Sequence, residues 1–142
     1  MSTATHIKQL VTRFCTLLFM LLWVYAATAK LLELEQFRVQ MSQVAFLKPV
    51  APLLVWTIPL VEYALAIALV FKKTRVQGLL GSAVLMSLFT IYIAGMIHFS
   101  PQLPCSCGGI INTLTWQQHL LLNLGFTAMG ITGVFLQRQL KT

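Results

Sequence analysis

The sequence predicts an all-α membrane protein: a bundle of four transmembrane helices, with a short amphipathic helix between the first and the second. Three observations predict it. The 142 residues are 58% hydrophobic and 9% charged, with a mean hydropathy of +0.82. Soluble domains carry about 25% charged residues, and a chain this short cannot hide so much apolar surface within itself. The apolar residues also gather into four runs, each near the roughly 20 residues that a helix needs to cross the hydrocarbon core. Finally, the basic residues behind the net charge of +7 sit in short clusters between those runs. Such clusters read as topology signals, not as a basic stripe for nucleic acid. Membrane lipid is the expected surrounding, and no nucleic-acid partner is expected. The whole chain, 1–142, reads as one integral membrane domain.

The first run covers about 10–29. Lys8 and Arg13 precede it, and Ala27-Thr28-Ala29 resembles a signal-peptide cleavage site. The apolar stretch after Arg13, however, is at the upper limit for a signal-peptide core. An uncleaved first helix is therefore expected. Beyond it, Leu31, Leu34, Phe37, Met41 and Val44 recur at helical spacing, with Glu33, Glu35, Arg38 and Gln40 between them. This pattern predicts a short amphipathic helix that lies on the membrane surface or caps the bundle.

The second run, about 50–71, opens with Pro49 and Pro52, where a missing amide hydrogen costs little. Glu62 falls about twelve residues into it, close to mid-membrane at a rise of ~1.5 Å per residue. A carboxyl at that depth must face the bundle interior, protonated or paired. It would serve as an interhelical clasp or as a proton-handling group. Pro59 is expected to bend the helix just before it.

The third run covers about 77–97 and the fourth about 116–136. Gly78, Gly81, Ser82 and Gly95 on the third, and Gly125, Ala128, Gly130 and Gly133 on the fourth, permit close helix contact. Thr115 and Gln118 read as a capping box opening the fourth run, and Asn123 could hydrogen-bond across helices. Tyr25, Thr28, Thr90 and Tyr92 are expected to line a polar pocket that opens outward. Trp23, Trp56 and Trp116 suit packing or interfacial belts.

Orientation follows from lysine and arginine in the connections. Lys8, Arg13, Lys72, Lys73, Arg75, Arg138 and Lys141 belong to one side. The first loop holds Lys30, Arg38 and Lys48 over a longer stretch, and the last loop, 98–115, holds none. Both termini are therefore expected in the cytoplasm of a bacterium, with the inner membrane crossed four times and the last loop periplasmic.

That loop holds Cys105-Ser106-Cys107-Gly108-Gly109. Two cysteines on the oxidising side of a membrane are able to cross-link. A Cys-x-Cys bridge closes a very small ring, which strains it and makes it easier to reduce. Such a bridge suits exchange better than stapling, because so small a loop gains little stability from closure. Gly108 and Gly109 permit a tight turn and leave room for a partner's thiol. The bland alternatives are unreactive loop cysteines or a purely structural bridge. His98 and His119 flank the same loop, so two thiolates and two imidazoles could instead hold zinc or copper. Cys15, alone in an apolar helix, reads as a small buried hydrophobe. No second cysteine pair is present to relay electrons, so exchange confined to one face is the simplest redox role.

The ordered set Ala29-Lys30-Leu31, a Phe37-containing loop, Pro49 and Pro52, Glu62, Cys105-x-Cys107-Gly108, Trp116 and Asn123 resembles the DoxX-like superfamily. Within it, the set resembles in particular the methylamine utilisation protein MauE family, over almost the whole chain. The resemblance implies a four-helix membrane protein associated with periplasmic thiol–disulfide chemistry. It implies maturation of disulfide-containing enzymes such as methylamine dehydrogenase, alongside a thioredoxin-like partner. Cys105 and Cys107 would be the redox pair, with Lys30, Glu62 and Asn123 as supporting positions. Partners would be a thioredoxin-like protein or a maturing secreted protein, and no cofactor is expected outside the zinc or copper alternative. A non-catalytic anchor for a periplasmic partner is the rival role.

Overall fold

A computed structural model describes residues 2–44, 46–99 and 116–141. Five α-helices make up nearly all of it: α1 (Thr3–Leu32), α2 (Leu34–Ser42), α3 (Ala51–Val70), α4 (Arg75–Phe99) and α5 (Trp116–Lys141). A single 3-10 turn, Lys48–Val50, leads into α3, and no strand occurs among the described residues. Four helices, α1, α3, α4 and α5, are long and apolar enough to cross a membrane. The predicted fold class therefore holds, including the short α2 between the first two spans.

The boundaries differ from the apolar runs at the ends. Thr3 to Leu32 is 30 residues, about 45 Å at ~1.5 Å per residue, longer than a ~30 Å hydrocarbon core. The extra turns are the polar N-terminal ones. They form because Ser2 caps the helix, its hydroxyl accepting from the Thr5 amide at 3.2 Å. At the same end of the bundle, α5 continues to Lys141, past the last apolar residues.

Unlike a soluble bundle, this one also carries large apolar side chains on its outer face. On α1, Leu10, Phe14, Leu17, Leu21 and Val24 form an exposed stripe, whereas Thr12, Cys15, Thr16, Phe19, Trp23 and Lys30 are buried. Lipid is as apolar as leucine, so no hydrophobic gain drives Leu inward, and polar groups turn towards one another. The buried hydroxyls satisfy themselves locally: Thr12 donates to the Lys8 carbonyl and Thr16 to the Thr12 carbonyl, both at 2.8 Å. On α3 the buried face is Ala51, Val55, Pro59, Glu62, Ala66 and Leu69, at strict helical spacing.

In the bundle, α1 packs on α3 and α5, and α4 packs on α5 and α3. The core joins Phe19, Trp23, Ala66, Leu69, Leu79 and Met86. Phe19 stacks on Trp23 at 6.1 Å and meets Phe126 edge-on at 5.5 Å. The Trp23 indole donates to the Ser82 hydroxyl at 2.8 Å, so this tryptophan packs inside the bundle while Trp56 faces outward. The small residues divide in the same way. A Cβ on Gly130 would lie 3.2 Å from both Ala83 and Phe19, and one on Gly81 2.6 Å from Leu65. Among the described residues, Gly95 and Gly125 meet nothing at their Cβ positions. Cys15 is buried and close to Gly133, as expected of a packing residue.

α2 folds back over the end of α1 after a single intervening residue, Glu33. Phe37 and Met41 pack with Ala51 and Val55 in a second apolar cluster. The amphipathic segment is therefore a cap on the bundle, with Glu35 and Arg38 paired on its outer side at 3.1 Å.

Candidate functional site

α1 ends only two residues beyond Lys30, about 3 Å of rise, whereas α3 begins eleven residues before Glu62, about 16 Å. The first helix thus stops well inside the bundle, and α2 fills the space above it. This mismatch places Lys30 inside the bundle, where its Nζ donates to Glu62 Oε1 at 2.8 Å, with the two side chains 3% and 0% exposed. Counting Lys30 among the loop charges needs correcting: it is a buried residue of α1. The ammonium also lies 5.9 Å from the centre of the Phe37 ring and 5.6 Å from that of Phe89. Each ring face offers the cation partial negative charge in place of water. Glu62 is paired, and the pair bridges α1 and α3, the interhelical clasp among its expected roles. The sequence held a signal for this contact, since Glu62 is the only acid inside the four runs.

α5 contributes His119 and Asn123, one turn apart on one face and both buried. Among the described residues, neither Glu62 Oε2 nor Asn123 Nδ2 has a hydrogen-bond partner. These are an acceptor and a donor, so the interior retains unspent polar capacity. His98, in the last turn of α4, is exposed, unlike His119. The described residues hold no group of three or more His, Cys, Asp or Glu side chains placed to hold a metal. Cys105, Cys107, Gly108, Gly109 and Thr115 lie outside the described residues, as does the side chain of Trp116.

Beside the ion pair is a cavity of about 350 Å³. Lys30 is among its lining residues, and Phe37 and Met41 of α2 close it from the loop side. Leu54 and Ile58 of α3, and Leu85, Leu88, Phe89 and Tyr92 of α4, form its walls. The polar pocket expected from Tyr25, Thr28, Thr90 and Tyr92 takes a different form. Only Tyr92 lines the cavity, which is otherwise apolar apart from Lys30. Thr28 shares a 2.6 Å hydrogen bond with the Tyr63 hydroxyl on the bundle exterior, and Thr90 donates to the Met86 carbonyl of its own helix. Helical phase, not depth alone, decides which of these groups points inward.

Four crossings bring three things to one face: the cap α2, the ion pair beneath it, and both ends of the connection from α4 to α5. The arrangement defines a class: a polytopic membrane protein with a buried charged pair in the half of the bundle beneath a short helical cap. Within that class, the chain belongs to the methylamine utilisation protein MauE family, whose family model matches residues 8–136. No curated protein and no solved structure matches the chain.

Proposed function

We propose that this protein carries out thiol–disulfide exchange on the periplasmic face of a bacterial inner membrane, in the service of methylamine utilisation. The observation that carries the reading is the Cys105-Ser106-Cys107-Gly108-Gly109 sequence in the connection between α4 and α5 of a MauE-family chain. Charge supports the orientation. With Lys30 withdrawn into the bundle, only Arg38 and Lys48 remain on the loop side, against seven lysines and arginines on the side of the termini.

In the exchange, a thiolate of a thioredoxin-like partner, or of a maturing disulfide-containing enzyme such as methylamine dehydrogenase, attacks one sulfur of the Cys105–Cys107 bridge. A mixed disulfide forms and the other cysteine leaves as a thiolate. That cysteine can attack back and release the partner. Alternatively, a second partner thiolate resolves the adduct, leaving the partner oxidised by two electrons and the pair reduced. The Lys30–Glu62 clasp ties α1 to α3 in the same half of the bundle.

The test is a trapping experiment in cells. Cys105→Ser and Cys107→Ser are each expressed in a Cys15→Ser background, thiols are quenched with acid, and adducts are resolved on non-reducing gels. One of the two variants is expected to accumulate a reducible adduct with a periplasmic protein. Absence of any adduct from both, with the proteins at normal levels in the membrane, would refute exchange.

A further inference from the structure

We propose that the cavity beneath α2 binds an alkyl chain of a membrane phospholipid, which enters from the bilayer between α3 and α4 and leaves its headgroup outside.

The wall decides what can enter. Met41, Leu54, Ile58, Leu85 and Leu88 meet the space with aliphatic side chains, and Phe37 and Phe89 with rings. The exposed wall is almost wholly carbon. Lys30 and Tyr92, which also line it, therefore turn methylenes and ring to the space and keep their polar ends out of it. The Lys30 ammonium stays with Glu62 at 2.8 Å. A buried water needs roughly two to four polar partners, and an apolar cavity that offers none stays dry. A lipid headgroup would lose its hydration there without gaining a hydrogen bond. An empty space of about 350 Å³ would cost its wall the dispersion contacts of a filled one. Hydrocarbon restores those contacts and has no hydration to lose.

Access decides the source. Leu88 lines the cavity and yet is 56% exposed on α4, and Leu54, half-buried on α3, lines it too. Both belong to spans, so the opening faces the chains of the bilayer. Leu85 and Tyr92 mark two turns of wall, about 11 Å along the bundle, which is also the direction in which lipid chains run. Leu54 and Ile58 lie three and seven residues into α3, about 5 and 11 Å from its start. That is the depth of the chains in the leaflet on the α2 side, so a chain reaches the cavity while its headgroup remains at the surface.

The proposal concerns binding alone and stands apart from the thiol reading. The full chain is reconstituted in phosphatidylcholine vesicles that include a phosphatidylcholine with a diazirine in the upper half of one acyl chain. After illumination, adducts are mapped by mass spectrometry of the digested protein. Leu10, Phe14 and Leu17 face lipid and supply the reference labelling. Phe37 and Met41 are the reporters: they are 3% and 5% exposed, and both line the cavity. They should be labelled to an extent comparable with Leu17. Leu69 and Leu79, fully buried and not part of the cavity wall, should stay unlabelled. Leu88→Trp, which narrows the opening from its rim, should lose most of the labelling at Phe37 and Met41 and keep that at Leu17. Adducts confined to the lipid-facing residues would overturn the proposal, as would undiminished reporter labelling in Leu88→Trp. Equal labelling of Leu69 and Leu79 would overturn it too, since the chain would then be reaching the interior without a dedicated site. A diazirine carried on the choline group that labelled Phe37 and Met41 equally well would show the head entering and refute the alkyl assignment.

Discussion

Removing one partner of the Lys30–Glu62 pair should be far more damaging than removing both. The oxygen and nitrogen are 2.8 Å apart, and at an effective dielectric near 20 their gross attraction is about 6 kcal/mol. Much of that offsets the loss of water around two charges. After Lys30→Met the carboxylate loses its counter-charge, and after Glu62→Leu the ammonium loses its counter-charge. Single variants should therefore lose about 3–4 kcal/mol, or more than roughly a hundredfold in the unfolding equilibrium. Lys30→Met combined with Glu62→Leu leaves only apolar groups of similar size and should lose less than about 1.5 kcal/mol. Reversible unfolding by a denaturing detergent, run as a double-mutant cycle, measures the difference. A coupling near 0.6 kcal/mol, the average for polar contacts between membrane helices, would refute a desolvated ion pair and mean that water reaches it.

Two further perturbations test the packing and the topology. Gly130→Leu should destabilise the bundle by about 1–3 kcal/mol, because its Cβ alone would lie 3.2 Å from Ala83 and Phe19. Gly125→Ala, facing open space, should be neutral or stabilising by up to about 1 kcal/mol; the same unfolding assay reads both. In a cysteine-free background, an impermeant maleimide should label Gln36→Cys on intact cells and Lys73→Cys only after permeabilisation. The reverse pattern would invert the orientation.

Membrane residence and the number of spans were legible in the sequence because they depend on composition and length. Four runs of about 20 apolar residues leave few other solutions in lipid, where each backbone amide must be satisfied within its own helix. α2 was legible as well: Phe37 and Met41 at helical spacing among charges describe a one-sided helix. The inward positions of α3 were readable once Glu62 was placed on the interior face, since its neighbours follow at intervals of three and four.

The interior was less legible. Lys30 sits at the end of an apolar run and reads as a loop charge, yet α1 stops short and brings it level with Glu62, 32 positions away in sequence. Tyr25 and Thr28 look equivalent to Tyr92 in depth, yet only Tyr92 reaches the cavity. Such differences depend on the rotation of each helix and on where its neighbours end, and a nearly uniform apolar sequence encodes both weakly. Composition and periodicity by themselves determined the solvent, the number of crossings and the one-sided cap. Only the tertiary structure decided which charges meet and which rings surround them, because those contacts join helices whose relative depth and phase are set by packing.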